Sequence, residues 1–275
     1  MTDMNPKSKN TEVSAERCPP PVPQYWINRL ITEMSEGERI EPTLQILQLL
    51  GYGPRRIDRA MQWAQEGRFD APQILHLKNH LTPEFCEQVI KDGDSGPSEA
   101  GTVIKQVQET LVDTDSDVRI VDILQWRKRK KDMVMKIQSI CRQHIDPYFG
   151  VSIARFEYPG LFRYRPGGHY EHHADSDAMN PDTGCWYRQQ ARDYSLVLYL
   201  NEDFSGGELD FENYGIRIKP KTGDVVCFPS DFRYLHAAKP VKQGVRYCVV
   251  TWLQTTDCRP AGFRSKRRKV YYKVI

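Results

Sequence analysis

A chain of 275 residues, 39% hydrophobic and 27% charged, is long enough to bury one substantial core beside a small extra element. Its net charge of +3 is too small to argue for a nucleic-acid partner, and no apolar run approaches the ~18 residues that a membrane span needs. The 7 cysteines are scattered and never spaced C-x-x-C, which argues against a disulfide framework and a zinc–thiolate site and for a reducing, cytosolic setting.

In chain order, residues 1–22 read as a disordered polar leader that ends in prolines and lacks an apolar signal segment. Residues 23–70 have helical periodicity. Trp26, Ile27, Leu30, Ile31 and Met34 share one face, and Ile57, Ala60, Met61 and Ala64 another, with Gly51-Tyr52-Gly53-Pro54 as the break between them. This is expected to be a small helical element that serves as a packing platform. Residues 73–258 are expected to form the main domain. A short strand at Ile74–Leu77 opens it, followed by a helix with Thr82 as N-cap and Pro83 in its first turn. Asp92 to Gly101 reads as a polar loop, and a long helix begins at the basic run Arg127–Lys131 and continues through Cys141.

After Gly150 short β-branched and aromatic runs alternate with turn signals: FRYRPGG, DYSLVLYLN, GGELDF, IRIKPKTG, DVVCFPS and RYCVVTWL. Their regular spacing predicts a mainly β domain, a jelly roll of the double-stranded β-helix (cupin-like) kind with flanking helices. Cys227 and Cys248 fall inside these runs as core residues. The basic tail, residues 259–275, ends in VYYKVI, which fits an added edge strand.

The stretch GHYEHHADSD crowds three histidines and three carboxylates into ten residues. A two-histidine, one-carboxylate metal site needs three ligands on one face, and a local H-x-[DE] supplies two of them. The pattern occurs at His144/Asp146, His169/Glu171 and His173/Asp175. Residues i and i+2 share a face in a strand but diverge in a helix. His144 and Asp146 end a helical run, and His169 follows the turn signal Pro166-Gly167-Gly168. His173 and Asp175, further into the extended run, are therefore the best pair. Alternation turns His172 away and gives His169, Glu171 and Asp177 the same parity as the site. The third ligand is expected to be His236, the one histidine after residue 173, at a strand end where an antiparallel barrel can bring it to the pair.

Four ordered blocks carry a resemblance. Tyr164-Arg-Pro-Gly-Gly-His-Tyr170-Glu-His-His173-Ala-Asp175 fits Y-x-x-G-x-x-Y-x-x-H-x-D, and SLVLYLNEDFSGGELDF, IKPKTGDVVCFPS and LHAAKPVKQGVRYCVVTW follow it. Together they resemble the iron(II)- and 2-oxoglutarate-dependent oxygenases of the prolyl 4-hydroxylase-like branch, and also the PKHD-type hydroxylases. The resemblance implies that His173, Asp175 and His236 hold Fe(II), and that Arg246 pairs with the distal carboxylate of 2-oxoglutarate. It further implies that Tyr199 hydrogen-bonds that carboxylate, with Tyr164 as a second contact. By alternation, Val197 and Ser195 share the face of Tyr199, and Cys248, Val250 and Trp252 share that of Arg246.

The implied activity is hydroxylation of an unactivated C–H bond using O2, with ascorbate as a supporting reductant. The leading substrate is a prolyl residue of a peptide or protein, and a free amino acid or small metabolite is the alternative. Asp175 argues for hydroxylation over halogenation, since halogenases of this superfamily carry a small residue there. Trp252 stands where the alkylated-base demethylases carry a second arginine, which argues against a nucleic-acid substrate. A silent binding module that kept the fold is a further alternative, and the intact candidate ligands argue against it. Arg119, Arg163 and the loop Ser176–Gln190 are candidates for the border of the substrate channel. The sequence leaves the oligomeric state undetermined.

Overall fold

Strands whose successive residues alternate between two apolar environments form the centre of the molecule. The computed structural model describes residues 29–30, 32–34, 36–49, 54–65, 73–101, 103–107, 110–114, 118–179, 186–261 and 270–274. The leader, Trp26, Ile27, Ile31, Cys18, Cys185 and the basic run 264–269 lie outside them. In the amino-terminal part, α1 (Glu41–Leu49) and α2 (Pro54–Gln65) flank the Gly-Pro break. Leu30, Leu47, Ile57 and Ala60 form a small buried cluster there.

The main region opens with β1 (Leu75–Leu77) and α3 (Pro83–Asp94). The hydroxyl of Thr82 accepts a hydrogen bond from Phe85 N, and Pro83 occupies the first turn, where its missing N–H costs nothing. Strands β2 (Ser98–Ala100), β3 (Val103–Val107), β4 (Thr110–Thr114), β5 (Arg119–Ile120) and β6 (Asp122–Leu124) follow. The expected loop from Asp92 to Gly101 is thus corrected: α3 runs on to Asp94, and β2 pairs with β6. Buried Asp92 accounts for the longer helix, because its Oδ2 accepts bonds from the backbone N–H groups of Arg127 and Arg129 and joins α3 to the start of the next helix. That helix, α4 (Lys130–Ile140), passes into a π-helical turn over Cys141–Ile145 and then α5 (Asp146–Phe149). His144 and Asp146 therefore lie in helical backbone, as the rejection of that pair requires.

The β region continues with β7 (Ile153–Glu157), β8 (Gly160–Tyr164), β9 (His169–His173), β10 (Asp177–Met179), β11 (Trp186–Arg188) and β12 (Tyr194–Tyr199). Then come β13 (Ser205–Gly206), β14 (Leu209–Phe211), β15 (Ile216–Ile218), β16 (Val225–Pro229), β17 (His236–Ala238), β18 (Val241–Gln243), β19 (Arg246–Thr255) and β20 (Tyr271–Lys273). The major sheet has the order β1-β16-β12-β19-β8-β6-β2, and the minor sheet β15-β14-β17-β9-β5. From β8 onward the chain passes between the two sheets, and all the pairings are antiparallel, as in a double-stranded β-helix. Residues of the tail supply β20, which pairs with β7 at the edge.

Side-chain parity assigns the two cores. On the major sheet, Leu161, Leu196, Leu198, Val225, Cys227, Val249 and Leu253 face α3 and α4, where they meet Cys86, Val89, Met133, Ile137 and Ile140. The opposite parity, with Phe162, Tyr164, Val197, Tyr199, Val226, Phe228 and Cys248, faces the minor sheet and meets Leu209, Phe211 and Ala238. These strands are buried on both faces, which is why they read in sequence as continuous apolar runs rather than as alternation. Among the described residues no helix is long and apolar enough to cross a membrane.

Phe211 is fully buried and meets Phe228 edge to face at 4.8 Å between ring centroids. Phe211→Ala leaves a void between the sheets and is expected to cost about 3–5 kcal/mol in unfolding free energy. A urea titration checks this, and a loss under ~1 kcal/mol would contradict the inter-sheet core.

Candidate functional site

Strand pairing joins the two histidines. β17 lies antiparallel beside β9 with His236 directly opposite His173, and their ring centroids are 4.3 Å apart. The carboxylate of Asp175 stands between them, with Oδ1 at 3.6 Å from His173 Nε2 and Oδ2 at 3.4 Å from His236 Nε2. One donor atom from each residue fits within 4.8 Å of the others.

Each imidazole is oriented from its other nitrogen. His173 Nδ1 is 2.7 Å from the carbonyl of Glu171, and His236 Nδ1 is 3.0 Å from that of Tyr234. A carbonyl only accepts, so Nδ1 carries a proton in both rings and each Nε2 is directed toward Asp175. Burial, followed by the nearby His236, pushes the His173 imidazole down to about 4, so it is neutral at ordinary pH. Burial drives the Asp175 carboxyl upward, but His236 and His173 together outweigh it and hold the carboxyl well below its usual range. Two imidazole nitrogens and a carboxylate oxygen are a suitable donor set for iron(II).

The backbone corrects two expectations about this stretch. His169 lies in regular strand opposite Ile120, because the turn at Gly167 (φ +85°) is complete before it. Asp175 lies just past the end of β9, outside the strand. A bulge also breaks the simple alternation. His236 pairs with His173 and Ala238 with Tyr170, so β9 spends three residues where β17 spends two. Glu171 and His172 are consequently both exposed. Tyr170, not Glu171, shares the face of His173, and the two rings stack at 3.5 Å. Asp177 is engaged elsewhere, by the hydroxyl of Ser176 and the N–H of Phe232. The tyrosine of the Y-x-x-H spacing was visible in the sequence, but its contact with His173 required the bulge.

Ser195 is the residue that the alternation argument left without a role. Fully buried, its hydroxyl donates to Asp175 Oδ2 at 2.6 Å and lies 2.7 Å from the hydroxyl of Ser230. Val197 and Tyr199 follow it on the same face of β12, and the Tyr199 ring lies 5.8 Å from the guanidinium carbon of Arg246 on the adjacent strand β19.

Arg246 is 3% exposed. It lies opposite Tyr164 in the β8·β19 ladder, with its guanidinium carbon 4.1 Å from the Tyr164 ring centroid and 5.8 Å from that of Tyr199. Nη1 donates to the carbonyl of Gly207 at 2.7 Å, while Nε is buried with no hydrogen-bond partner among the described residues. A buried guanidinium stays charged and is costly without an anion. Burial pushes the Tyr164 phenol up to about 12 and raises Tyr199 further, so both hydroxyls keep their protons and can donate. A cation with a spare donor beside two phenols therefore suits a carboxylate end group.

The proposed channel border is only partly supported. Arg119 lies 4.8 Å from the Tyr170 ring and 4.9 Å from that of Phe162, close to the His173 stack. Arg163 does not face the site. Its parity on β8 is that of Leu161, and it pairs with Asp94 and Asp122 on the helix side. Of the loop Ser176–Gln190, β10 and β11 form a hairpin in which Trp186 stacks on Phe232, and residues 180–185 lie outside the described residues.

Residues 159–254 match the family model described as the 2OG-Fe(II) oxygenase superfamily, a segment that contains all six residues named above as ligand or cosubstrate contacts. A protein of Acanthamoeba polyphaga mimivirus, provisionally named a prolyl 4-hydroxylase, is 27% identical over 65% of this chain and 72% of its own length. Human prolyl 3-hydroxylase 2 is 38% identical over 84% of this chain and 39% of its own length. A PKHD-type hydroxylase of Janthinobacterium sp. (strain Marseille) is 36% identical over 39% of this chain and 48% of its own length. The chain thus spans well under half of the human relative.

Gly207 has φ +67°, and a Cβ there would meet the Arg246 side chain at 3.2 Å and Phe204 at 3.1 Å. Gly207→Ala is expected to lower stability by more than ~1 kcal/mol through strain at this positive φ and pressure on Arg246. Thermal melting against wild type tests it, and an unchanged midpoint would contradict the tight cradle.

Proposed function

We propose that this chain is a 2OG-Fe(II) oxygenase and that it hydroxylates a prolyl residue of a peptide or protein. The observation that carries this reading is the placement of two groups of side chains between the same two sheets. His173, Asp175 and His236 converge at one end, and the buried guanidinium of Arg246, whose Nε has no hydrogen-bond partner among the described residues, lies further along. Ser195 and Tyr199 mark the two ends on a single strand face, roughly 13 Å apart at ~3.3 Å per residue, with Val197 between them. A dicarboxylate such as 2-oxoglutarate suits that arrangement, one end toward the metal ligands and the other toward Arg246.

Iron(II) and 2-oxoglutarate, when bound with O2, supply the oxidising power for C–H hydroxylation and leave succinate and carbon dioxide. The chain's own residues do the holding. His173 and His236 present Nε2 atoms whose direction is fixed by backbone carbonyls at Nδ1, and Ser195 restrains one carboxylate oxygen of Asp175. Arg246 neutralises and orients the distal carboxylate through parallel hydrogen bonds, Tyr199 and Tyr164 add phenolic donors, and Val197 excludes water from the floor between. Tyr170 covers one face of the His173 ring.

Relatives carry names for both the 3- and the 4-position, so the proposal commits to the ring and leaves the carbon to experiment. Ascorbate belongs to the proposal as a supporting reductant. So does a cytosolic setting, for which the support is the scattered cysteine spacing of the sequence.

The test is succinate release with iron(II), 2-oxoglutarate and ascorbate against proline-containing peptides and free amino acids, with a mass gain of one oxygen in the product. Turnover with peptides is expected, and turnover with free amino acids alone would replace the substrate class. No succinate with either would favour a silent binding module. His173→Ala is expected to abolish the signal while preserving the melting midpoint. Arg246→Met removes one partner of a buried charged pair, which costs about 2–5 kcal/mol, so the KM for 2-oxoglutarate is expected to rise at least ~30-fold.

A further inference from the structure

The geometry points to Arg192, held by Glu157, as a positioning residue for Asp175, an inference that rests on the metal reading above. Arg192 engages every edge of its guanidinium. Nε and Nη2 donate to Oε1 and Oε2 of Glu157 at 2.7 and 2.9 Å, Nη1 donates to the backbone carbonyl of Asp175 at 3.1 Å, and one face lies 3.6 Å from the Trp252 ring centroid. Both side chains of the ion pair are about nine-tenths buried.

The location of this pair gives it its role. Strand pairing on β9 ends at His173, so the two histidines are fixed by the β9·β17 ladder and Asp175 is not. Asp175 is held from two directions: Ser195 restrains its carboxylate, and Arg192 restrains the peptide that carries it. Glu157 is anchored in β7, with its backbone carbonyl accepting from the Thr251 hydroxyl, and Trp252 is in β19. The clamp thus ties the loop residue to two strands of the major sheet.

Burying an ion pair is a poor route to stability, since apolar residues of similar volume often do as well or better. What an apolar pair cannot do is donate to the Asp175 carbonyl. Glu157 lies outside the segment 159–254 that matches the superfamily model, whereas Arg192 and Trp252 lie inside it. Groups that orient metal ligands from behind commonly alter metal affinity about 10–100-fold when removed.

The experiment titrates the full-length protein with Co(II), read by its d–d absorption, alongside melting of the metal-free protein. The double variant Glu157→Met/Arg192→Met is expected to melt close to wild type, to bind Co(II) about 10–100-fold more weakly and to show an altered absorption envelope. Glu157→Gln, which keeps the shape but frees the guanidinium, is expected to weaken binding in the same direction and carries the test if the double variant does not fold. Arg192→Lys keeps the charge without the fork and is expected to remain impaired. Wild-type affinity in Glu157→Gln and the double variant, or full rescue by lysine, overturns the positioning role while leaving the metal site standing. Loss of the fold in both Glu157 variants overturns it in favour of a purely structural ion pair. Failure of wild type itself to bind Co(II) overturns the metal reading, and this inference with it.

Discussion

The pairing of His236 with His173 across two adjacent strands is the constraint on which the site depends. Sixty-three positions separate them in the chain, and one ladder register brings their rings to 4.3 Å. A slip of one residue on either strand would turn one imidazole to the outer surface, because side chains alternate. The register is held by what lies beneath it. Phe211, Phe228 and Tyr234 fill the space between the sheets, and both phenylalanine rings lie within 6.0 Å of the His236 ring. Core packing and the placement of the candidate ligands are therefore the same physical fact, with the inter-sheet side chains fixing the strands and the strands fixing the nitrogens.

Around that register the molecule buries several charges, each supported differently. Asp175 is stabilised by two imidazoles and a serine hydroxyl. Arg192 is matched by Glu157 in bidentate geometry, so its charge is compensated within the protein. Arg246 has aromatic faces and one carbonyl but no carboxylate, and its Nε has no partner among the described residues. Desolvation makes an uncompensated buried cation expensive, which is a general reason to look for a ligand that brings the missing negative charge. The contrast between the two buried arginines distinguishes a guanidinium compensated within the protein from a candidate binding group.

Much of this was legible in sequence, for identifiable reasons. The β-rich core announced itself because strands buried on both faces must be apolar throughout, as in SLVLYL and DVVCF. Parity along single strands correctly grouped Ser195, Val197 and Tyr199, and Arg246 with Cys248, because those strands are regular over the residues in question. Parity failed in β9, where the bulge exchanges Glu171 for Tyr170 beside His173. On β8 the same parity groups Arg163 with Leu161 and turns it toward the helices.

The sequence by itself determined the kinds of group available and their local spacing: an imidazole two residues from a carboxylate, a later histidine, an arginine in an apolar strand, and turn signals between short strands. Those follow from covalent order and from backbone periodicity, which are local properties. Only the tertiary structure decided which long-range pairs meet. The opposition of residues 236 and 173, the hydroxyl of Ser195 on Asp175, and the Glu157–Arg192–Trp252 clamp all join segments far apart in the chain, and their geometry is set by strand register and inter-sheet packing. No local pattern encodes these, because the free energy that selects them comes from burying both faces of the major sheet at once.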